Sequence, residues 1–338
     1  MISHHFRYAD GAVPNSAAMA FTLLGYPLGI VLLTQSLWPL KFAGVLLVTL
    51  TLIWSAYFIH DYAHQAIFKT PEANARWGTL MTWINGSCYA QFADLRRKHM
   101  RHHVERADVI TFHVQRFLLD GPSWLRRLVL VLEWAYFPAV EFIMRGYVIL
   151  MPFIAPAAGK SRARIVAIFS IRTIAFAALG SYSFSALTLY AFSYLLFVTA
   201  LRFADCFQHT YDAYPILDDA PIPNDKVRDR AYEQFNTFSN VVSLDNKWLN
   251  LIWLNFGYHN AHHERPTLPW YRLPAFHRSL DEASNAPVIP MRLLLKSFHI
   301  NRVSRVLAVD YGVVLPPEAK DRADGFLGAV GVSFLTAV

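Results

Sequence analysis

Four long apolar segments, joined in pairs by short turns and separated by polar regions, organise this chain. They cover residues 17–37, 41–59, 163–179 and 182–203. A bilayer core of about 30 Å takes roughly 20 helical residues to cross, so each segment is predicted to be a membrane-spanning helix. Because only residues 38–40 and 180–181 separate the members of each pair, the pattern predicts two hairpins.

Two further apolar stretches are less suited to crossing a membrane. Residues 79–92 are too few and include Asn85 and Gly86, and residues 128–155 carry charged side chains and two prolines. We expect both to form helices at the membrane interface with one face in lipid. A re-entrant or crossing helix over residues 128–155 is the alternative.

The distribution of lysine and arginine predicts the orientation. The two hairpin turns contain at most one basic residue, Lys41, whereas residues 61–162 and the region after the fourth segment contain 13 each. Cytoplasmic segments of membrane proteins carry the excess of basic residues. Both polar regions and both termini are therefore expected in the cytoplasm, and no cleavable signal peptide is recognisable.

The sequence thus predicts an all-α integral membrane protein with one membrane-embedded domain over residues 1–338. Four transmembrane helices form two hairpins, and residues 60–162 and 204–314 form a helical cytoplasmic cap. Residues 315–338 end in an apolar run from Phe326 that is too short to span a bilayer. We expect this stretch to be a surface-docked or disordered tail.

Composition agrees with a membrane protein. Hydrophobic residues make up 54% of the chain and charged residues 16%, against about 25% charged residues in a soluble domain. The formal net charge is +7, but the basic residues cluster beside the apolar segments, which argues against nucleic-acid binding. The two cysteines, Cys88 and Cys206, form neither a disulfide framework nor a Cys-x-x-Cys motif, so we expect a reducing compartment.

Nine of the chain's 14 histidines follow a regular spacing at the ends of the apolar segments and in the polar regions. They comprise a pair four residues apart, two triples with the pattern His-x-x-His-His, and one isolated histidine. The nine are His60, His64, His99, His102, His103, His209, His259, His262 and His263. Residues three and four apart share a helix face, and imidazole is a common ligand of iron, zinc and copper. Nine ligands are too many for one ion and predict a di-metal site in the cap.

Each group of histidines also has a simpler interpretation. The triple at His99 lies in a basic stretch that would suit a helix facing lipid head groups. The triple at His259 would suit a buried polar network, and His209 alone would be a structural histidine. The repeated order, in which a histidine follows each hairpin and a triple comes later, favours metal binding by the whole set.

These histidine boxes, with hairpins between them, resemble the membrane fatty acid desaturase superfamily, which includes hydroxylases, ketolases and terminal-alkene-forming decarboxylases. The resemblance extends to about Pro274 and implies that the nine histidines bind two iron ions that activate O2. In animal acyl-CoA desaturases an asparagine one turn before the isolated histidine helps to hold a metal-bound water, whereas this chain has Asp205 there. Its carboxylate is a candidate catalytic group, as an iron ligand, an orienting group or a proton relay, or a helix-end acid without a special role. Asp61 is a candidate for orienting a histidine of the first box.

The resemblance implies an oxidoreductase, an O2-dependent desaturase that introduces a double bond into a fatty acyl chain. A fatty acid hydroxylase or a terminal-alkene-forming oxidative decarboxylase is the alternative on the same scaffold, and no residue decides between them. The sequence has no cytochrome b5 signature, iron–sulfur cysteine set or glycine-rich nucleotide motif, so we expect a separate electron donor such as a ferredoxin. Basic residues around the second box are expected to dock that donor. They are Arg96, Arg97, Lys98 and Arg101.

Two other classes of protein fit the histidine pattern less well. A zinc-dependent membrane hydrolase would use a motif such as His-Glu-x-x-His, which does not occur in the sequence. A haem-binding electron carrier would need histidine pairs within the apolar segments, whereas these histidines lie at or beyond the segment ends.

Overall fold

The computed structural model describes residues 4–154, 162–215, 221–280 and 288–337, and these residues are mostly helical. The α-helices of this part of the chain are α1 (Ala12–Leu33), α2 (Trp38–Ala63), α3 (Pro71–Asn85), α4 (Phe92–Glu105), α5 (Val114–Asp120), α6 (Ser123–Trp134), α7 (Ala139–Ile154), α8 (Arg162–Tyr182), α9 (Phe184–Cys206), α10 (Arg230–Phe235), α11 (His259–Glu264), α12 (Leu273–Ser279) and α13 (Met291–Ile300). Short 3-10 helices cover Ala9–Gly11, Lys247–Trp253 and Ser304–Val306. Two-residue strands β1 (Asp108–Val109) and β2 (Ala213–Tyr214) pair in parallel, with Asp108 opposite Ala213.

Four helices of the described residues are long and apolar enough to cross a membrane, as the sequence predicts. They are Ala9–Leu33, which includes the first 3-10 turn, together with α2, α8 and α9. Their lengths are 25, 26, 21 and 23 residues, which is sufficient for a bilayer core of about 30 Å.

The turns between these helices lie elsewhere than predicted. The first turn falls at residues 34–37 because Pro39 fits the first turn of α2, where a missing N–H leaves no helical bond unmade. Gly180 and Ser181 remain inside α8. The second turn lies at Ser183, whose Oγ accepts a hydrogen bond of 3.2 Å from the amide of Ala186 at the start of α9.

The two shorter apolar stretches form helices that are too short to cross. α3 ends at Gly86, whose left-handed φ of 78° suits the position after a helix. Residues 128–154 are divided between α6 and α7, with Tyr136 at a φ of 62° in the break. The longer helix, α7, has 16 described residues, or about 24 Å, so a single crossing helix is wrong for the described residues. The re-entrant alternative stays a prediction. Ala155 lies outside the described residues, and placement at the interface stays a prediction.

The chain divides into two compact units, of which the first consists of Met1–Asp94 and Arg145–Ala200. It contains α1, α2, α3 and α8. Within it, α1 and α2 pack closely at glycines, because a Cβ added at Gly44 would lie 2.9 Å from the backbone oxygen of Gly29. Small residues at such contacts let helix backbones approach each other in membranes.

The second unit consists of Leu95–Met144 and Leu201–Ala337 and contains the helices that carry both histidine triples. A buried network of ion pairs joins the guanidinium of Arg202, at the end of α9, to Glu133 at 3.3 Å and to Glu141 at 3.4 Å. Removing one partner of such a buried pair is strongly destabilising. The network therefore fixes the end of α9 against α6 and α7. His209 follows the end of α9 by three residues.

Residues 326–337 are buried within the second unit, so the expected surface-docked or disordered tail is wrong for this segment. Phe326 is 0% and Leu335 2% exposed. The chain turns at Gly328 and Gly331, where φ is 85° and 73° and an added Cβ would lie within 3 Å of Cys206 and Val114, respectively. Only glycine adopts these turns without strain, and the segment is too short to show a helix or strand period.

Candidate metal centre

The first histidine box lies at the end of α2 in the first unit. His60 is in the last turn of this helix and His64 is its C-terminal cap. Both side chains are buried, and their ring centres are 4.8 Å apart. The Oδ1 atom of Asp61 lies 3.3 Å from Nδ1 of His60, which is the contact expected of a residue that orients a ligand.

Four histidines from three segments of the second unit form one cluster. They are His102 from α4, His209 after α9, and His259 and His263 from α11. Each offers a ring nitrogen, and these four atoms lie within 4.8 Å of one another. The Nε2 atom of His209 is 2.7 Å from Nε2 of His259 and 3.1 Å from Nε2 of His102.

Oxygen acceptors hold the Nδ1 atoms of two rings in this cluster. Nδ1 of His263 lies 2.9 Å from Oε1 of Glu233. Nδ1 of His102 is hydrogen-bonded to the backbone oxygen of Ala107 at 3.1 Å, and Oδ1 of Asp108 is also 3.1 Å away. Glu233 is itself held by Arg106, whose Nε donates to Oε2 at 2.7 Å. A ring that donates from Nδ1 to a carboxylate or a backbone oxygen presents the lone pair of Nε2, so these partners direct Nε2 towards the centre of the cluster.

These donors fit a metal ion. Nε2 of His263 is buried and has no hydrogen-bond partner within the described part of the chain. Leaving a buried polar atom unsatisfied costs about 1–3 kcal/mol. Four converging imidazole nitrogens, one of them otherwise unbonded, match the ligands that iron, zinc and copper accept.

A second cluster in the same unit comprises His99 and His103 from α4 and His262 from α11. Their ligand nitrogens also lie within 4.8 Å of one another, and Nε2 of His103 is 3.1 Å from Nε2 of His262. The rings of His99 and His103 are nearly perpendicular, with centres 4.8 Å apart. The two triples are thus shared between two metal-binding clusters, each combining residues from α4 and α11.

Burial favours the neutral form of four of these histidines. Removal from water lowers the pKa of His99, His209 and His259 well below the usual value for histidine, and neighbouring histidines add to the effect. Burial also lowers the pKa of His263 to about 4, although Glu233 opposes the shift. A metal ligand must be neutral imidazole, so near neutral pH these four side chains are already in the ligand form.

Asp205 lines a cavity of about 40 Å³ beside the four-histidine cluster. The cavity is lined by Lys98, His99, His102, Asp108, Val109, Asp205, Gln208, His209, Phe256, His259, Val332 and Phe334. Such a volume is enough for one or a few water-sized molecules. Asp205 is therefore next to the four-histidine cluster, and its role stays a prediction.

Three side chains of this site were not identified from the sequence. Glu233 and Asp108 touch ligands only because the fold brings them there, since neither belongs to a histidine box.

Lys98 was predicted to dock an electron donor, but it is 4% exposed and its ammonium is bonded inside the second unit. That part of the docking prediction is wrong, because Lys98 faces inwards. Arg101 pairs with Glu105 at 2.7 Å, and Arg97 is exposed.

The comparison with protein families agrees with the histidine pattern. A family model described as fatty acid desaturase matches residues 36–294, which include all nine histidines. A search of curated proteins found no match to this chain.

Proposed function

Because the chain belongs to the fatty acid desaturase family, we propose that it is an O2-dependent di-iron oxidoreductase that introduces a double bond into a fatty acyl chain. The observation that supports this best is the pair of mostly buried histidine clusters in the second unit. An all-imidazole set of this size suits two transition-metal ions.

We assign the four-histidine cluster of His102, His209, His259 and His263 to one iron ion. The second iron ion takes His99, His103 and His262. The spacing of the first box and its likeness to the family's boxes add His60 and His64 as further ligands. When bound, the irons supply the activation of O2 and the removal of hydrogen from an unactivated C–H bond, which side-chain acids and bases cannot perform.

The side chains of the protein position the ligands and handle protons. Glu233 holds the ring of His263 through Nδ1, and the backbone oxygen of Ala107, with Asp108 beside it, holds that of His102. The burial of the site excludes water from the reacting groups. Asp205 lines the cavity beside His209 and His259, where its carboxylate is suited to accept or deliver a proton during the reaction.

The four apolar helices support an acyl substrate drawn from the bilayer. We propose that they form two hairpins in one membrane-embedded domain, with the termini and the metal centre on the cytoplasmic side, as the lysine and arginine distribution favours. A separate carrier such as a ferredoxin supplies electrons. A hydroxylase and a terminal-alkene-forming decarboxylase would use the same ligands, so product analysis distinguishes them.

The test is metal and product analysis of the purified full chain. About two irons per chain and an internal double bond in a supplied fatty acid, formed with O2 and a reduced ferredoxin, are expected. A hydroxylated product would instead identify a hydroxylase, and a terminal alkene one carbon shorter would identify an oxidative decarboxylase. One zinc per chain, or a haem spectrum, would reject the di-iron function.

A pair of histidine variants provides the matched control. His262→Ala should lose iron because His262 belongs to a cluster. His277→Ala should retain it, since His277 is also buried, at 5% exposed, but lies against Tyr258 and in neither cluster. Equal iron loss in both variants would point to unfolding rather than to loss of a ligand.

A further inference from the structure

Residues 328–337, here called the wall segment, are held inside the second unit by bonds from several elements. The amide of Ala329 donates to the backbone oxygen of Cys206 at 2.8 Å. The amide of Gly331 donates to Oε1 of Glu141 at 3.3 Å. The segment is therefore attached both to the end of α9 and to the buried ion-pair network. It lies beyond residues 36–294, so the family match says nothing about it.

Lys98 fastens the far end of the wall segment. Its ammonium donates to the backbone oxygen of Ser333 at 2.8 Å and to that of Thr336 at 2.7 Å. A buried cation is tolerated only when its donors are bonded. The Lys98 ammonium therefore depends on these two backbone oxygens, and it holds the segment that carries them in place. Lys98 directly precedes His99 in α4. The same helical turn therefore carries a candidate metal ligand and the side chain that binds the wall segment.

Two side chains of the wall segment reach the metal site. Val332 and Phe334 line the 40 Å³ cavity together with His99, His209 and His259. The ring centre of Phe334 is 5.9 Å from that of His99. With Phe256 and Val109, they are the apolar residues that line this cavity.

We propose that the wall segment is a fixed boundary of the metal centre, in which Phe334 and Val332 position the substrate carbon and Lys98 holds them in place. This rests on the proposed function, because the positioned group is the acyl chain to be oxidised. A small apolar boundary beside the ligands limits which carbon can approach and leaves little room for water. Loosening it should therefore alter the position of attack and expose the metal.

The first experiment measures whether Lys98 holds the segment, and it needs no turnover. In the full chain, Lys98→Met should speed hydrogen exchange of the amides in residues 331–337 by roughly tenfold or more, since two charge-assisted bonds are lost. Arg97→Met, which removes an exposed cation from the same helix, is the matched control. Unchanged exchange in Lys98→Met, or equal changes in both variants, would overturn the role of Lys98.

The second experiment measures the effect on the metal centre. Phe334→Ala should give a mixture of positional products in place of one dominant product, and a chelator should remove its iron about tenfold faster than from the unaltered protein. Phe326→Ala is the control, because Phe326 is fully buried against Phe207 but does not line the cavity. Phe326→Ala is expected to lower thermal stability and leave the product position unchanged.

The outcomes separate the two proposals. If the unaltered protein binds no iron or oxidises no fatty acid, the proposed function fails, and hydrogen exchange still tests whether Lys98 holds the wall segment. If the unaltered protein is active and Phe334→Ala changes neither product position nor iron removal, the wall proposal fails and the function stands. The same changes in Phe326→Ala and Phe334→Ala would also reject it.

Discussion

At the scale of single residues, a hydrogen-bond acceptor at Nδ1 of a histidine leaves the lone pair of Nε2 free to bind a metal ion. Glu233 accepts from Nδ1 of His263 at 2.9 Å and is held in turn by Arg106 at 2.7 Å. A carboxylate in this position fixes the ring orientation and raises the basicity of the other nitrogen. Glu233 therefore contributes to metal affinity through His263.

Replacing Glu233 tests this contribution. Glu233→Gln keeps the size of the side chain and removes its charge, so iron affinity should fall by roughly 10- to 100-fold. The measurement is iron retained per chain against a competing chelator of known affinity. Glu264→Gln is the control, because Glu264 lies on the same helix as His263 but pairs with Arg230. Equal affinity in both variants would contradict a positioning role for Glu233.

The residue scale also shows what sequence reasoning can and cannot find. The histidines repeat at intervals that match one helix face, so their membership in a site was predictable without coordinates. Glu233 is 30 residues from its partner His263 and follows no such interval. Its pairing depends on how α10 and α11 pack, which is a property of the tertiary structure. Lys98 was misassigned for the same reason, since its carbonyl partners lie more than 230 residues away.

At the scale of elements, the number of membrane-capable helices was predictable but their ends were not. The hydropathy of a segment is a sum over many residues, so it shows reliably that a membrane-capable helix is present. The position of a helix end depends on one or two local contacts. Pro39 is expected in a turn but lies in the first turn of α2. Gly180 and Ser181 are expected to form the second turn, but Ser183 caps α9 instead. The buried wall segment was missed because its fit depends on two glycine turns.

The packing of α1 against α2 yields a prediction at this scale. Gly44→Leu should lower the thermal unfolding temperature of the detergent-solubilised protein, because a Cβ at residue 44 would lie 2.9 Å from backbone atoms of both Gly29 and Leu33. Overpacking of this kind costs about 1–3 kcal/mol. Ala43→Leu places the same side chain on the exposed neighbouring position. An equal shift in both variants would show that the glycine contact is unimportant.

At the scale of the whole molecule, the buried histidines link folding to pH. Burial lowers the pKa of His99, His209 and His259, and that of His263 to about 4, whereas in the unfolded chain these groups titrate near 6.5. Below pH 6.5 the unfolded chain therefore binds more protons than the folded chain. Stability present above pH 6.5 is lost as the pH falls from 6.5 towards 4.

The metal-free protein should accordingly unfold at a lower temperature at pH 5 than at pH 7, since each such histidine removes roughly 1 kcal/mol per pH unit below 6.5. Thermal unfolding of the chelator-treated full chain across this range is the measurement. His263→Gln should flatten the dependence, and His5→Gln, which removes an exposed histidine, serves as the control. A stability that is constant or rises on acidification would mean that these imidazoles are protonated in the folded state. That would be incompatible with a preformed set of neutral metal ligands, so the pH profile also tests the premise on which the di-iron assignment depends.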